Sequence, residues 1–198
     1  MEYIVHRVNS LKKLDKLSHK YGVEIDIRND EEDLFLQHDP FKKGESFENF
    51  IKEYKHGTII LNIKSERIEY RVLETLRKYN VSDYFFLDSS IPMIQLLSKI
   101  NINKIAIRYS DYESVETVFN MRKKVKWVWV DCFKGELIKV GDYKKLKKMG
   151  LKLCLVSPEL QMFDVSRIKT FAQKMKKRNI YFHAVCTKYP NIWKDNLK

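Results

Sequence analysis

Eight short runs rich in β-branched and aromatic residues recur along the chain, separated by longer segments of helical period. The runs are residues 3–8, 23–28, 58–64, 84–88, 104–109, 127–133, 152–156 and 181–187. Helix candidates fall at 10–21, 46–54, 66–79, 91–100, 113–123, 142–149 and 165–178. Strands and helices alternating in one chain imply a parallel sheet covered by helices. Eight such units predict a closed (β/α)8 barrel of the TIM type, compact and short-looped because 198 residues is at the low end for that fold. Ser10, Ser65 and Ser90 are candidate N-caps, Pro92 suits a first helical turn, and Gly22 and Gly150 fall where helices should stop. An extra apolar run, Leu34-Phe35-Leu36-Gln37-His38, extends or doubles the second strand. No linker, repeat or low-complexity tract breaks the rhythm, so a single domain over residues 1–198 is expected.

The interruption of every apolar run by charge excludes a membrane span, which needs ~20 apolar residues. No secretory signal is visible at Met1-Glu2-Tyr3-Ile4-Val5-His6. Cys132, Cys154 and Cys186 are widely spaced within apolar runs, as buried thiols of a reducing compartment would be, and a cytoplasmic location is expected. The net charge of +12 is concentrated in residues 100–198, which hold 22 Lys/Arg against 9 Asp/Glu. Such a field attracts phosphorylated partners. No nucleic-acid motif accompanies it, so no nucleic-acid partner is expected.

The second run, Val23-Glu24-Ile25-Asp26-Ile27-Arg28, places Glu24 and Asp26 on one strand face and three apolar residues on the other. Inside a barrel the acidic pair would face inward, where two carboxylates need a cation; Mg2+ or Ca2+ suits oxygen ligands. An exposed edge strand with a wet acidic face is the alternative. His6-Arg7 ends the first run and His38-Asp39 ends the extra run, so two imidazoles can reach one rim, one to accept and one to supply a proton in phosphodiester cleavage. Arg7 can neutralise a phosphate oxygen. On the third run Asn62 and Lys64 share a face, an amide oxygen for the metal and an ammonium for phosphate. Asp88, Arg108, Asp131, Ser157 and Glu159 end later runs and are second-rank pocket residues. His19, His56 and His183 have no such company and are read as structural.

Taken in order, His6-Arg7, Glu24-x-Asp26, His38-Asp39 and Ile63-Lys64 resemble the glycerophosphodiester phosphodiesterase family of the phospholipase C-like phosphodiesterases. The resemblance implies a (β/α)8 barrel with His6 and His38 as acid and base, Glu24 and Asp26 as metal ligands, and Arg7 and Lys64 on the phosphate. Three features depart from the family pattern. Asn62 stands where the third run usually carries Glu, Val8 stands where Gly follows His-Arg, and the insertion after His-Asp is reduced to about residues 40–46. The expected function is metal-dependent hydrolysis of a small sugar, polyol or lipid-headgroup phosphodiester, with Glu159 also on the substrate. The alternatives are a catalytically impaired phosphate-binding barrel, motivated by Asn62, and a basic interaction scaffold.

Overall fold

The protein is described by a computed structural model covering residues 1–31 and 33–197. In chain order the elements are β1 (Glu2–Val5), α1 (Leu11–Leu14), β2 (Gly22–Asp30), β3 (Asp33–Leu36), β4 (Glu45–Ser46), α2 (Phe47–Lys52), β5 (Ile59–Ile63), α3 (Glu69–Lys78), β6 (Tyr84–Leu87), α4 (Ile91–Lys99), β7 (Ala106–Tyr109), α5 (Val115–Met121), β8 (Trp127–Val130), α6 (Val140–Lys148), β9 (Lys152–Val156), α7 (Arg167–Arg178), β10 (Ala184–Thr187) and α8 (Pro190–Leu197). All eight runs form strands, giving a mixed α/β fold in which parallel strands alternate with helices. By internal packing the chain divides into two compact units, one of His6–Ile105 and one joining Met1–Val5 to the stretch from Ala106 onward.

In the first unit β2, β5 and β6 are parallel neighbours, and β3 folds back antiparallel on the end of β2, with β4 antiparallel to β3. The register sets Asp26 opposite Asn62 and Glu24 opposite Ile60. Val23, Ile25 and Ile27 are fully buried on one face of β2, and Glu24 and Asp26 are equally buried on the other. The acidic face is therefore internal, and the wet-edge alternative does not hold. In the second unit β1, β10, β9, β8 and β7 run parallel in that spatial order. Trp193 of α8 is completely buried there, and no helix after residue 187 was anticipated.

Two local expectations need correction. The segment 10–21 is helical only over α1, capped by Ser10, and continues through Leu17 N–H to Leu14 O and Tyr21 N–H to Ser18 O. Its apolar residues Leu11, Leu14 and Leu17 recur every three positions, which suits such i→i+3 turns better than a 3.6-residue period. Ser65 does not cap α3: Ile68 occupies that position, and the Ser65 hydroxyl accepts from the Asn29 N–H at 3.4 Å. Ser90 caps α4 as expected, with Pro92 in its first turn, and Gly150 takes φ +73° just beyond α6.

The turn between β3 and β4 fixes where His38 can stand. Gly44 lies so close to β3 that a Cβ would come within 1.9 Å of Leu36 O. Gly44→Ala is expected to lower stability by about 3 kcal/mol, read as a reduced midpoint in urea unfolding. An unchanged midpoint would show the turn to be pliable.

Candidate active site

The β1–α1 loop closes over the acidic face of β2. Arg7 adopts the left-handed conformation, φ 54°, which a side chain with a Cβ enters only at a cost. That twist aims its backbone N–H at Glu24 Oε2, 2.8 Å away. Val8 turns inward and is buried, and its N–H bonds to Glu24 O. Asn9 clasps Asp26 twice: its Nδ2 donates to Asp26 Oδ2 and its Oδ1 accepts from the Asp26 N–H, both at 2.9 Å.

From β5, Asn62 Nδ2 donates to Glu24 Oε1 at 2.9 Å and to Asp26 Oδ1 at 3.1 Å, one amide group bridging both carboxylates. Its Oδ1 is buried with no hydrogen-bond partner among the described residues. Lys64 Nζ lies 3.8 Å from Asp26 Oδ1 and 3.5 Å from Asp88 Oδ2. Arg7 Nε lies 3.9 Å from Asp26 Oδ2. Burial first, and the neighbouring Asp26 charge second, push the Glu24 carboxyl up to about 7 in spite of the Asn62 and Arg7 hydrogen bonds.

The two histidines stand differently. His6 Nε2 is 3.7 Å from Glu24 Oε2. His38 Nε2 is 2.6 Å from Arg7 Nη2, and its Nδ1 is 2.9 Å from Asp39 Oδ1. A guanidinium only donates. The His38 Nε2 must then accept, so Nδ1 carries the proton and donates it to Asp39. The His38 hydrogen bond, with help from Lys42 at 2.8 Å, holds the Asp39 carboxyl down at about 2. Arg28 binds the His38 carbonyl through Nε and Nη2, at 3.2 and 2.8 Å, and the Lys64 carbonyl through Nη1 at 3.0 Å. It thereby ties together the chain ends that carry His38 and Lys64.

The structure thus gathers His6, Arg7, Glu24, Asp26, His38, Asn62 and Lys64 in one unit, linked by direct contacts. Asn9, Arg28, Asp39 and Asp88 join them, and only Asp88 had been singled out as a pocket residue. Arg28 was legible from parity, since it shares the strand face of Glu24 and Asp26. Asn9 was not, because its role depends on how a turn folds back.

Glu159 belongs to a different cluster, in the unit formed by β1 and β7–β10. Its carboxylate accepts from the Ser157 hydroxyl, from Thr187 Oγ1 at 2.6 Å and from the Lys188 N–H at 3.0 Å, and Trp193 Nε1 donates to Ser157 Oγ at 2.7 Å. Those bonds anchor α8 and engage both oxygens of the carboxylate. In the same unit Asp131 pairs with Arg108 at 2.6 Å and Gln161 at 2.9 Å. A cavity of about 540 Å³ nearby is lined by Asp111, Glu113, Glu116, Asp131, Glu136 and Asp142, with Lys134 and Lys139 the lysines among its lining. That lining is too acidic to attract a phosphate.

Against known proteins, no protein-family model and no curated sequence matches. Solved structures do. A glycerophosphodiester phosphodiesterase from Agrobacterium tumefaciens str. C58 superposes with a TM-score of 0.69 at 12% identity, covering 98% of both chains. A glycerophosphoryl diester phosphodiesterase from Parabacteroides distasonis ATCC 8503 gives 0.69 at 13% identity, covering 99% of this chain and 85% of the other. The chain has the fold of glycerophosphodiester phosphodiesterases. The match runs well past the quoted motifs, which end at Lys64, so the fold persists where sequence likeness does not.

Burial drives the Asp131 carboxyl up to about 6 despite Arg108. A carboxyl raised from 3.8 in the unfolded chain binds its proton more tightly when folded, so its contribution is full below about pH 4 and is lost as pH rises through 6. Asp131→Asn should abolish this decline, roughly 2–3 kcal/mol, in unfolding curves taken at pH 4 and pH 7. Equal slopes for both proteins would contradict the assignment.

Proposed function

We propose that the protein hydrolyses phosphodiesters of the small sugar, polyol or lipid-headgroup type at the His6–His38 site. The observation that carries this reading is the arrangement at His38: one ring nitrogen is fixed as donor to Asp39, and the other is left as an acceptor beside Arg7. A substrate phosphate drawing Arg7 to itself exposes the His38 Nε2 lone pair. His38 then takes a proton from the attacking hydroxyl or water. His6, beside Glu24, delivers a proton to the leaving alkoxide, and Arg7 and Lys64 neutralise the charge gathering on phosphorus oxygens. Asp39 is a positioning residue that keeps His38 in the productive tautomer. The eightfold closure of the strands as a full (β/α)8 barrel is part of the same proposal, supported by the match over 98% of the chain.

Among the described residues no three His, Cys, Asp or Glu side chains are disposed for a metal. Glu24 and Asp26 need a third donor of another kind, and the partnerless buried Asn62 Oδ1 fits. Half a turn of the amide would present that oxygen where Nδ2 now lies, making an all-oxygen set suited to Mg2+ or Ca2+. Such an ion, when bound, supplies Lewis-acid stabilisation of phosphate charge. A second reading, a phosphate-binding site without turnover, is favoured by one observation: Asn62 turns its amide nitrogen, a donor, toward both carboxylates.

Hydrolysis of bis(p-nitrophenyl) phosphate and glycerophosphodiesters separates the two. His6→Ala and His38→Ala should each lower kcat about 10² to 10⁴-fold while circular dichroism stays unchanged. Asp39→Asn should lower kcat with little change in KM. Wild-type turnover no greater than either alanine variant's would leave only the binding reading.

A further inference from the structure

The acidic face of β2 is already neutralised by the chain's own groups. Glu24 accepts from Asn62 Nδ2 and the Arg7 N–H, while Asp26 accepts from Asn62 Nδ2 and Asn9 Nδ2. Lys64 and Arg7 stand 3.8 and 3.9 Å from Asp26. The two buried carboxylates therefore face two cations, Arg7 and Lys64, the second shared with Asp88 at 3.5 Å. A divalent ion arriving alone would displace the Asn62 amide hydrogens and set its two positive charges against Arg7 and Lys64. A phosphate group arriving alone would compete with Asp26 for both cations. Arriving together, they solve each other's problem: the ion takes the carboxylates, and the displaced Arg7 and Lys64 take the phosphate.

Building on the phosphodiester reading, we propose that this site takes up its divalent cation and its phosphate ligand cooperatively, with the Asn62 amide as the gate. With Nδ2 toward the carboxylates the site is closed to cations, and with Oδ1 toward them it is open. A carboxylate at position 62 would supply the missing negative charge permanently. The neutral amide leaves that charge to the phosphate ligand, so each ligand raises the affinity for the other by the same factor.

Isothermal titration of the full chain with Mg2+, with glycerol 3-phosphate, and with each in the presence of the other tests this, blank titrations accounting for Mg2+–ester complexes in buffer. The Mg2+ Kd should fall at least tenfold when glycerol 3-phosphate is present, and the ester's Kd should fall by a matching factor in Mg2+. Asn62→Glu should bind Mg2+ alone at least tenfold more tightly than wild type and lose most of the coupling. Thermal melts check that the variant is folded, and the wild-type titrations decide the matter if it is not. Independent Kd values, or micromolar Mg2+ binding to wild type without ester, overturn the proposal. If phosphodiester hydrolysis persists while the two constants are independent, only the cooperativity is lost. If neither ester binding nor hydrolysis is found under any condition, the phosphodiester reading falls with it.

Discussion

Two carboxylates on one face of one strand, with essentially no solvent exposure, are the constraint around which the site is organised. Buried charge that close together is tolerated only when donors converge on it. The chain recruits them from two neighbouring segments: a backbone N–H and a guanidinium from Arg7, an amide from Asn9, an amide from β5 and the Lys64 ammonium just beyond it. The left-handed twist at Arg7 follows from the same need, because it turns that N–H toward Glu24. Asp88, itself at φ 63° just beyond β6, extends the arrangement by sharing Lys64 with Asp26.

The same geometry makes the two histidines unequal. His38 sits between an obligate donor and an aspartate, which fixes its tautomer, whereas His6 sits beside a carboxylate that burial keeps ready to hold a proton near pH 7. The two rings are thus set apart by their neighbours rather than by residue type. Asp39 and Lys42, Arg28 on the His38 carbonyl, and the tight approach of Gly44 to β3 hold that histidine from three directions.

Ten of the 22 Lys/Arg of residues 100–198 lie on α6 and α7, whose last turns carry Lys145, Lys147, Lys148, Lys176, Lys177 and Arg178. Cations there favour the helix C-terminal dipole. Burial accounts for the cysteines: all three are buried, and desolvation pushes the Cys132 thiol up to about 12, far from a reactive thiolate. Glu159 shows how a polar residue at a strand end can serve packing instead. Its bonds to Ser157 and Thr187, with Trp193 on Ser157, hold down a helix for which the chain's own pattern gave little warning.

The strand–helix rhythm, the acidic face of β2 and the shared parity of Asn62 with Lys64 were legible in the sequence, because side-chain alternation along a strand is local and periodic. The early termination of α1, the capless start of α3 and the helix at 190–197 were not, since competing turns and burial decide them. Register alone set Asn62 opposite Asp26, and only tertiary structure could aim its nitrogen rather than its oxygen at the carboxylates. Which residues share a face follows from backbone geometry. Which atoms meet, and with what charge between them, is fixed by contacts among segments far apart in the chain.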